Sequence, residues 1–353
     1  MKEPVGTPTP RVTQKEVARI AGVSHVTVSL ALRGRPEIPK ATRERIEAIA
    51  KDLGYSPDPM LGALSAYRRT QRPPAFQSNL AWINNHPEPE ELRQSYDFNL
   101  YYEGARERAQ EVGYGLETVN LVDYDYERLS VQRMLRARGI TGLLIAPLHD
   151  HRDHIDLDWQ HFSAVRFGYS MLDTVLNTVT PSQYRASYAA VEQLMKNGYR
   201  RIGYISDDLF NTRTGGHFLG GYLSAQAHFS AEQIPTLRLS PRSGSDDTEY
   251  WLPAKAWVEE HRPQVILASS HHVYYHLQRW GYRVPEDVGV ASLSVGQEEG
   301  TFSGICQNPR FVGRAAVDLL VAMSQRKETG IPQTPKHMLI EGVWIPGKTT
   351  ISL

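Results

Sequence analysis

The stretch VTQKEVARIAGVSHVTVSLALRGRPEIPKATRERIEAIAKDLGYSPD, residues 12–58, reads as three short helices. Thr13 followed by Glu16 predicts a capping box, in which hydroxyl and carboxylate each take an orphan amide of the first turn. Val17, Ile20 and Ala21 then fall on one helical face. Gly22 breaks the helix, because glycine tolerates a backbone that a Cβ resists. Ser24 caps a second helix that carries Val28 and Leu32 inward. Past Gly34, Pro36 and Pro39, a third helix runs from about Ala41 to Leu53, with Ile46, Ile49, Ala50 and Leu53 as its inward stripe and Gly54 as its stop. Two short helices across a tight glycine turn, braced by a third, make a helix-turn-helix. In that motif the second helix enters the DNA major groove with its first turn against base edges. The predicted base-reading residues are His25, Val26 and Leu30. Ser24, Thr27, Ser29, Arg33 and Thr42 are suited to phosphates, which position but do not specify. A three-helix protein-interaction module is the plainer alternative.

Charge is distributed to match. Residues 1–72 hold 13 Lys/Arg against 7 Asp/Glu and residues 73–353 hold 26 against 32, so a net charge of zero conceals a basic head on an acidic body. Chance imbalance aside, such a head is built to meet a polyanion. With 353 residues, 41% apolar and 22% charged, the chain has the composition of a folded protein of two or three domains. No run approaches the roughly 18–20 apolar residues of a membrane helix. Residues 1–10, rich in Pro and Thr and without an apolar core, are expected to be a disordered tail rather than a secretory signal. The single Cys306 excludes an intrachain disulfide and points to a reducing, cytoplasmic setting.

The head resembles the N-terminal domain of the lac repressor family of bacterial transcription regulators. The likeness is carried by Val17-Ala18, Ala21-Gly22-Val23-Ser24, Thr27-Val28-Ser29, Thr42-Arg43 and Leu53-Gly54-Tyr55-Ser56-Pro57. The resemblance implies a cytoplasmic, nucleoid-associated regulator, a repressor by expectation, that binds a palindromic double-stranded operator as a homodimer. The chain departs from the family at one reading position: Leu30 stands where an Arg usually follows Thr-Val-Ser. Leu offers only apolar contact, for example to a thymine methyl, so a half-site lacking the guanine an Arg would read is expected. Residues 57–72 are the expected hinge. Its run PDPMLGALSAY, residues 57–67, is a marginal helix by itself, or a plain linker. In the family this segment folds on DNA and a Leu wedges into the minor groove. The matching position is Leu64, with Leu61 and Met60 able to contribute, and Arg68, Arg69 and Arg72 lie just beyond.

From Asn79 onward apolar strand-like runs alternate with amphipathic helices. Strands are predicted at 80–83, 115–120, 142–146, 164–167, 201–205, 236–239, 265–268 and 289–293, and helices near 98–112, 127–138, 183–197, 247–261 and 309–325. Such alternation means parallel sheets, and about 280 residues suggests two α/β lobes. NGYRRIGYIS (197–206), GYRVPEDVGVASL (281–293), GICQNPRFVGRAAVDLL (304–320) and IEGVWIPGKT (340–349) resemble landmarks of the family's periplasmic-binding-protein-like core. The resemblance implies an effector-binding and dimerisation core over 73–353, with one lobe at about 79–198 and 307–333 and the other at about 199–306 and 334–353. Ligands in such sheets bind beyond the carboxyl ends of the strands. The candidate effector residues are Asn84, His86, Tyr101, Ser182, Phe218, Ser270, Ser294 and Gln307. Ser182-Gln183, Ser269-Ser270 and Leu293-Ser294 replace the family's Asp-Asn, Asn-Asp and Gly-Phe-Asp, which removes carboxylates and amides that grip sugar hydroxyls. Trp82, Phe98, Tyr101, Tyr102 and Phe218 offer an apolar or stacking pocket instead, or are ordinary core. The effector is a carbohydrate or another metabolite, or response to one has been lost.

HDHRDH, residues 149–154, has metal-binding chemistry, but a polar loop explains it equally and no second cluster has matching spacing. His272 and His276 stand at i, i+4, which leaves a weak metal option. The run GGHFLGG, residues 215–221, lacks dinucleotide-fingerprint spacing and reads as helix packing or a turn. No catalytic residue, metal or cofactor is assigned. Three functions stay open: a ligand-responsive regulator, a solute sensor whose head serves assembly, and a DNA-tethered enzyme.

Overall fold

Apolar spacing folds the head into three helices, α1 (Gln14–Ala21), α2 (His25–Leu32) and α3 (Lys40–Asp52). The computed structural model describes residues 12–32, 38–55, 76–148, 154–229, 233–240, 248–296 and 300–353. The chain divides into two units, residues 1–73 and 74–353.

In the head, Val17, Ala18, Ala21, Val28, Ala31, Ile38, Ile46 and Ala50 form one buried cluster. Gly22 takes φ +66° and returns its amide to the Ala18 carbonyl, which ends α1 in a tight left-handed turn. The Ser24 hydroxyl accepts from the Thr27 amide at 3.0 Å and so caps α2. Two expectations are corrected. Ile20 is 46% exposed, and Ala18 fills the inward face in its place. Thr13 makes no side-chain cap, and its carbonyl takes the Glu16 and Val17 amides instead.

The body begins with β1 (Ser78–Asn84), α4 (Glu91–Gln94), α5 (Tyr96–Glu111), β2 (Tyr114–Asn120), α6 (Arg128–Ala137), β3 (Gly142–Ile145), β4 (Ser163–Phe167) and β5 (Asn177–Pro181). It continues through α7 (Gln183–Lys196), β6 (Ile202–Asp207), α8 (Asp208–Arg213), α9 (His217–His228), β7 (Leu237–Leu239), α10 (Thr248–His261), β8 (Val265–Ala268), α11 (His272–Arg279), β9 (Gly289–Ser292) and β10 (Ser303–Cys306). It closes with α12 (Pro309–Arg326), β11 (His337–Ile340) and β12 (Val343–Ile345). Two six-stranded sheets result, ordered β11-β5-β4-β3-β1-β2 and β12-β10-β9-β8-β6-β7. Every pairing described is parallel except that of β12 with β10.

Each sheet is covered on both faces, as a parallel sheet must be. The strand period of two sorts the side chains. On β1, Leu80 and Trp82 join the cluster that α5 and α12 bury, while Ala81 and Ile83 join the one under α6. On β8, Val265 and Leu267 face α7 and α9, and Ile266 and Ala268 face α10 and α11.

The lobe limits differ from those expected. Helix α7 packs its Ala186, Ala190, Val191 and Leu194 with Tyr199, Ile202 and Tyr204, so it belongs to the second lobe. Strand β11 pairs with β5 and belongs to the first. The chain therefore crosses between lobes at Ser182, again between β10 and α12, and once more between β11 and β12. Strand β5, unforeseen in the sequence, is polar (Asn177, Thr178, Thr180) yet wholly buried between β4 and β11. Its polar atoms are used locally: Arg166 Nε donates to Thr178 Oγ1 at 2.9 Å, and Asn177 Oδ1 accepts from the Lys336 amide at 2.8 Å.

Candidate DNA interface and interlobe cleft

The head presents the first turns of α2 to solvent. Ser24 and His25 are exposed, and Val26 is 63% exposed, far too open to be a core side chain. Thr27, Ser29 and Thr42 are half-buried. The Ser24 and Thr27 hydroxyls lie 2.8 Å apart, so the cap that starts the helix also fixes two oxygens at its tip. Leu30 is half-buried against the head's own core, so only part of its side chain is available to a base. Lys15, Arg19, Lys40, Arg45 and Lys51 are exposed cations of the same unit. Arg33, Leu61 and Leu64 lie outside the described residues, as does the rest of the expected hinge.

In the body, the carboxyl ends of the two sheets face each other, and contacts among the described residues cross between the lobes. Ser294 Oγ, just past β9, donates to Asp97 Oδ2 in the first turn of α5 at 2.5 Å. Arg213 Nη2, at the end of α8, donates to the Leu148 carbonyl at 2.6 Å. The Tyr169 ring lies 4.7 Å from the His217 ring at the start of α9 and 5.6 Å from that of His337.

Burial sets the electrostatics. It holds the Asp97 carboxyl above its ordinary range, opposed by the hydrogen bond from Ser294 and by the nearby His271. Burial, then the Asp97 charge, pushes the Tyr101 phenol well up. Burial also pulls the Arg213 guanidinium down. The turn at Ser294 is held firmly: its carbonyl lies 3.2 Å from His271 Nε2 and takes the Ser292 hydroxyl at 2.8 Å. His271 in turn stacks on Phe302 at 4.2 Å with an interplanar angle of 1°.

The expected effector residues divide. Ser294 and Gln307 meet at the same turn, where Gln307 Nε2 donates to the Leu293 carbonyl at 2.7 Å. Ser270 is half-buried, and its Oγ accepts from the His272 amide. Ser182 is buried at the first crossover, its amide bonded to the Ile340 carbonyl. Asn84 turns into its own lobe, donating to Pro89 and Asn120 and accepting from the His86 amide. His86 is buried with Nε2 3.2 Å from the Pro147 carbonyl. Tyr101 stacks on Phe167 in the first lobe's core, and Phe218, 1% exposed, stacks on Phe210 in the second's. These two are core side chains rather than an open stacking surface. Trp82, Phe98 and Tyr102 line a cavity of about 110 Å³ within the first lobe, together with Asn84, Arg93 and Asn120.

Asp97 was missed in the sequence, because on this helix only the aromatic residues Phe98, Tyr101 and Tyr102 were considered. Its position two residues past Ser95, at a helix start, was the available signal. Of the HDHRDH run, residues 149–153 lie outside the described residues. His276 stacks on Trp251 at 4.5 Å, so its ring is engaged in packing. Gly215 and Gly216 form a left-handed turn and Gly220 and Gly221 lie inside α9, which makes that run both a turn and a packing surface.

Comparison with known proteins gives the following. Residues 13–58 match the family described as bacterial regulatory proteins, lacI family, and residues 191–350 match the periplasmic binding protein-like domain. The HTH-type transcriptional regulator PtxS of Pseudomonas plecoglossicida is 25% identical over 327 residues, covering 89% of this chain and 90% of that one. The HTH-type transcriptional repressor PurR of Haemophilus influenzae (strain PittEE) is 23% identical, with 91% and 94% covered. Among solved structures, a transcriptional regulator CelR–cellobiose complex is 20% identical with a TM-score of 0.56, covering 96% of this chain and 100% of that one. A lac repressor dimer bound to operator and the anti-inducer ONPF is 19% identical with a TM-score of 0.56, covering 97% and 100%. These two structures share the fold.

Proposed function

The chain belongs to the lacI family of bacterial regulatory proteins, DNA-binding transcription regulators with an effector-binding domain, and we propose on that premise that it represses from a palindromic operator as a homodimer, under control of a small molecule in the interlobe cleft. The observation that carries the reading is the tip of α2, where His25 and Val26 stand exposed beside the paired Ser24 and Thr27 hydroxyls on a basic unit. A helix so presented reads base edges through its first turn, while short hydroxyls and cations hold phosphates. The lac repressor structure named above is a dimer on its operator, and CelR holds cellobiose. No helix among the described residues is long and apolar enough to cross a membrane.

Control follows from linkage. A ligand that prefers one lobe arrangement shifts the spacing of the two heads, and DNA must alter ligand affinity by the same factor. The test is a gel shift of the full-length protein on symmetric duplexes selected from a random pool. Affinity is expected to fall steeply with salt, because each neutralised phosphate releases counterions. No preference for any duplex over bulk competitor at moderate ionic strength would overturn the reading.

A further inference from the structure

Away from the junction of the lobes, the second lobe carries an open groove of about 460 Å³ at the amino ends of β8 and β9. That volume falls within the range of small-molecule sites. Strand β8 separates the groove from the junction. Gln264 precedes the strand and Ser269 follows it, so at about 3.3 Å per residue the two ends lie roughly 16 Å apart. Two turns make the walls of the groove, and both are held firmly. On one side Gln264 Oε1 accepts the Arg200 and Arg201 amides at 2.7 and 3.0 Å, and Arg201 Nε donates to the Arg262 carbonyl at 3.3 Å. On the other, the Asp287 carboxylate takes the Arg283 amide at 2.8 Å and the Arg283 guanidinium at 2.6 Å. Val258, Pro263 and Val288 give the groove a buried apolar lining, and Tyr282 adds a half-buried ring.

Arg262 is the feature that the fold does not explain. It follows α10 at φ +44°, with its amide returned to the Val258 carbonyl at 2.9 Å, in a left-handed turn that glycine ordinarily fills. Its side chain is exposed at the groove and makes no ion pair or side-chain hydrogen bond among the described residues. The acids of the groove already have cations of their own. Hydrogen bonds from the Arg283 side chain and amide hold the Asp287 carboxyl down to about 2, and Glu259 pairs with Lys255 at 3.8 Å. A guanidinium kept at a strained backbone position, beside apolar surface and without an acid of its own, is suited to an anion from outside the chain.

We propose that this groove binds a small monocarboxylate with a flat or short apolar body, its carboxylate on the Arg262 guanidinium and its body on Val258, Pro263, Val288 and the Tyr282 ring. A guanidinium offers two parallel N–H donors that match the two oxygens of a carboxylate. The Tyr282 ring gives the body an aromatic surface to pack on. Charge sets the limit: one negative charge balances Arg262, while the second charge of a phosphate meets Glu259 and Asp287 and finds no free cation among the lining residues. The groove belongs to one lobe and shares no residue with the head or with the contacts between lobes, so it is a second ligand position that stands independently of the regulator reading.

The full-length protein and its Arg262→Gly and Arg262→Gln variants are titrated calorimetrically with phenylacetate, hexanoate, phenylacetamide and phenyl phosphate, and the ligand-free proteins are melted alongside. Phenylacetate and hexanoate are expected to bind the parent, and phenylacetamide, the same body without the charge, at least tenfold more weakly than phenylacetate. Arg262→Gly should bind phenylacetate at least tenfold more weakly while melting at or above the parent, because glycine relaxes the left-handed turn. Arg262→Gln keeps the β-carbon and the strain but loses the charge, so it should melt like the parent and lose the same affinity. Failure of both carboxylates to bind the parent overturns the proposal. So does undiminished phenylacetate binding in either variant, which puts the ligand elsewhere on the chain, the lobe junction included. Tighter binding of phenyl phosphate than of phenylacetate overturns the assigned ligand class.

Discussion

Gly220 and Gly221 are adjacent, helical and identical in sequence terms, yet substituting each with Ala is expected to change stability in opposite directions. Both lie in α9, where Ala is favoured over Gly by roughly 0.8–1 kcal/mol. A Cβ at Gly220 meets nothing closer than Tyr184 Cδ2 at 3.9 Å, so that gain is realised. A Cβ at Gly221 would stand 2.0 Å from the Tyr184 carbonyl oxygen and 2.5 Å from Ser187 Oγ, where real Cβ atoms essentially never come under 3.0 Å. The blocking atom is backbone, so α7 and α9 must separate by about 1 Å. A gap of that size forfeits up to about half of each dispersion contact along the seam of Ala186, Ala190, Phe218 and Tyr222. It also stretches the hydrogen bond from Ser187 Oγ to the Phe218 carbonyl, now 2.5 Å. Overpacking of this kind costs roughly 1–3 kcal/mol, which after the propensity gain leaves a net loss of up to roughly 2 kcal/mol. Tryptophan-fluorescence melts are then expected to show Gly221→Ala lowered by up to roughly 8 °C and Gly220→Ala raised by roughly 1–4 °C. Equal shifts for the two variants, or a stabilised Gly221→Ala, would refute the close helix approach.

Further expectations concern the head and the cleft. Ser24→Ala removes the oxygen that accepts from the Thr27 amide, so the head should lose about 1 kcal/mol and operator affinity should fall across all sequences alike, which quantitative gel shifts would reveal. Leu30→Arg sacrifices part of a half-buried packing contact but supplies a bidentate donor, so selection from a random duplex pool should recover a guanine the parent does not prefer. An unchanged preferred sequence counts against base contact at this position. Asp97 gives a pH signature. Its folded-state value lies above the ordinary 3.8, so the folded core holds that proton more tightly than the unfolded chain. The associated stability is complete below the ordinary carboxylate range and is lost as pH rises through the raised value. Asp97→Asn should flatten that part of the curve in denaturant titrations run from about pH 4 to about pH 8, and parallel curves for parent and variant contradict the assignment.

The head was legible because its determinants are local. Gly22 and Ser24 act within one turn of themselves, and Val17, Ala21, Val28 and Ile46 bury wherever a 3.6-residue period places them. The error at Ile20 shows the margin: a face boundary is set by what packs opposite it, and here Ala18 lies closer to α2 and α3 than the period alone indicates. In the body, strands such as β1 and β8 were readable from continuous apolar runs, as parallel strands buried on both faces should be. Strand β5 was not, because its Thr and Asn side chains are buried by partners distant in sequence, Arg166 and Lys336 among them. Strand β11 was missed because it is an exposed edge strand with no pattern to betray it.

The sequence alone therefore determined the helix-turn-helix, the basic head, and the parallel α/β class of the body, since turn chemistry, capping and side-chain period are properties of neighbouring residues. The tertiary structure decided which lobe owns α7 and β11, which of two adjacent glycines has no room for a Cβ, and that Asp97 faces Ser294 across 197 positions of sequence. Those depend on how two sheets exchange three crossing segments, and no local preference encodes the distance between side chains brought together by such crossings.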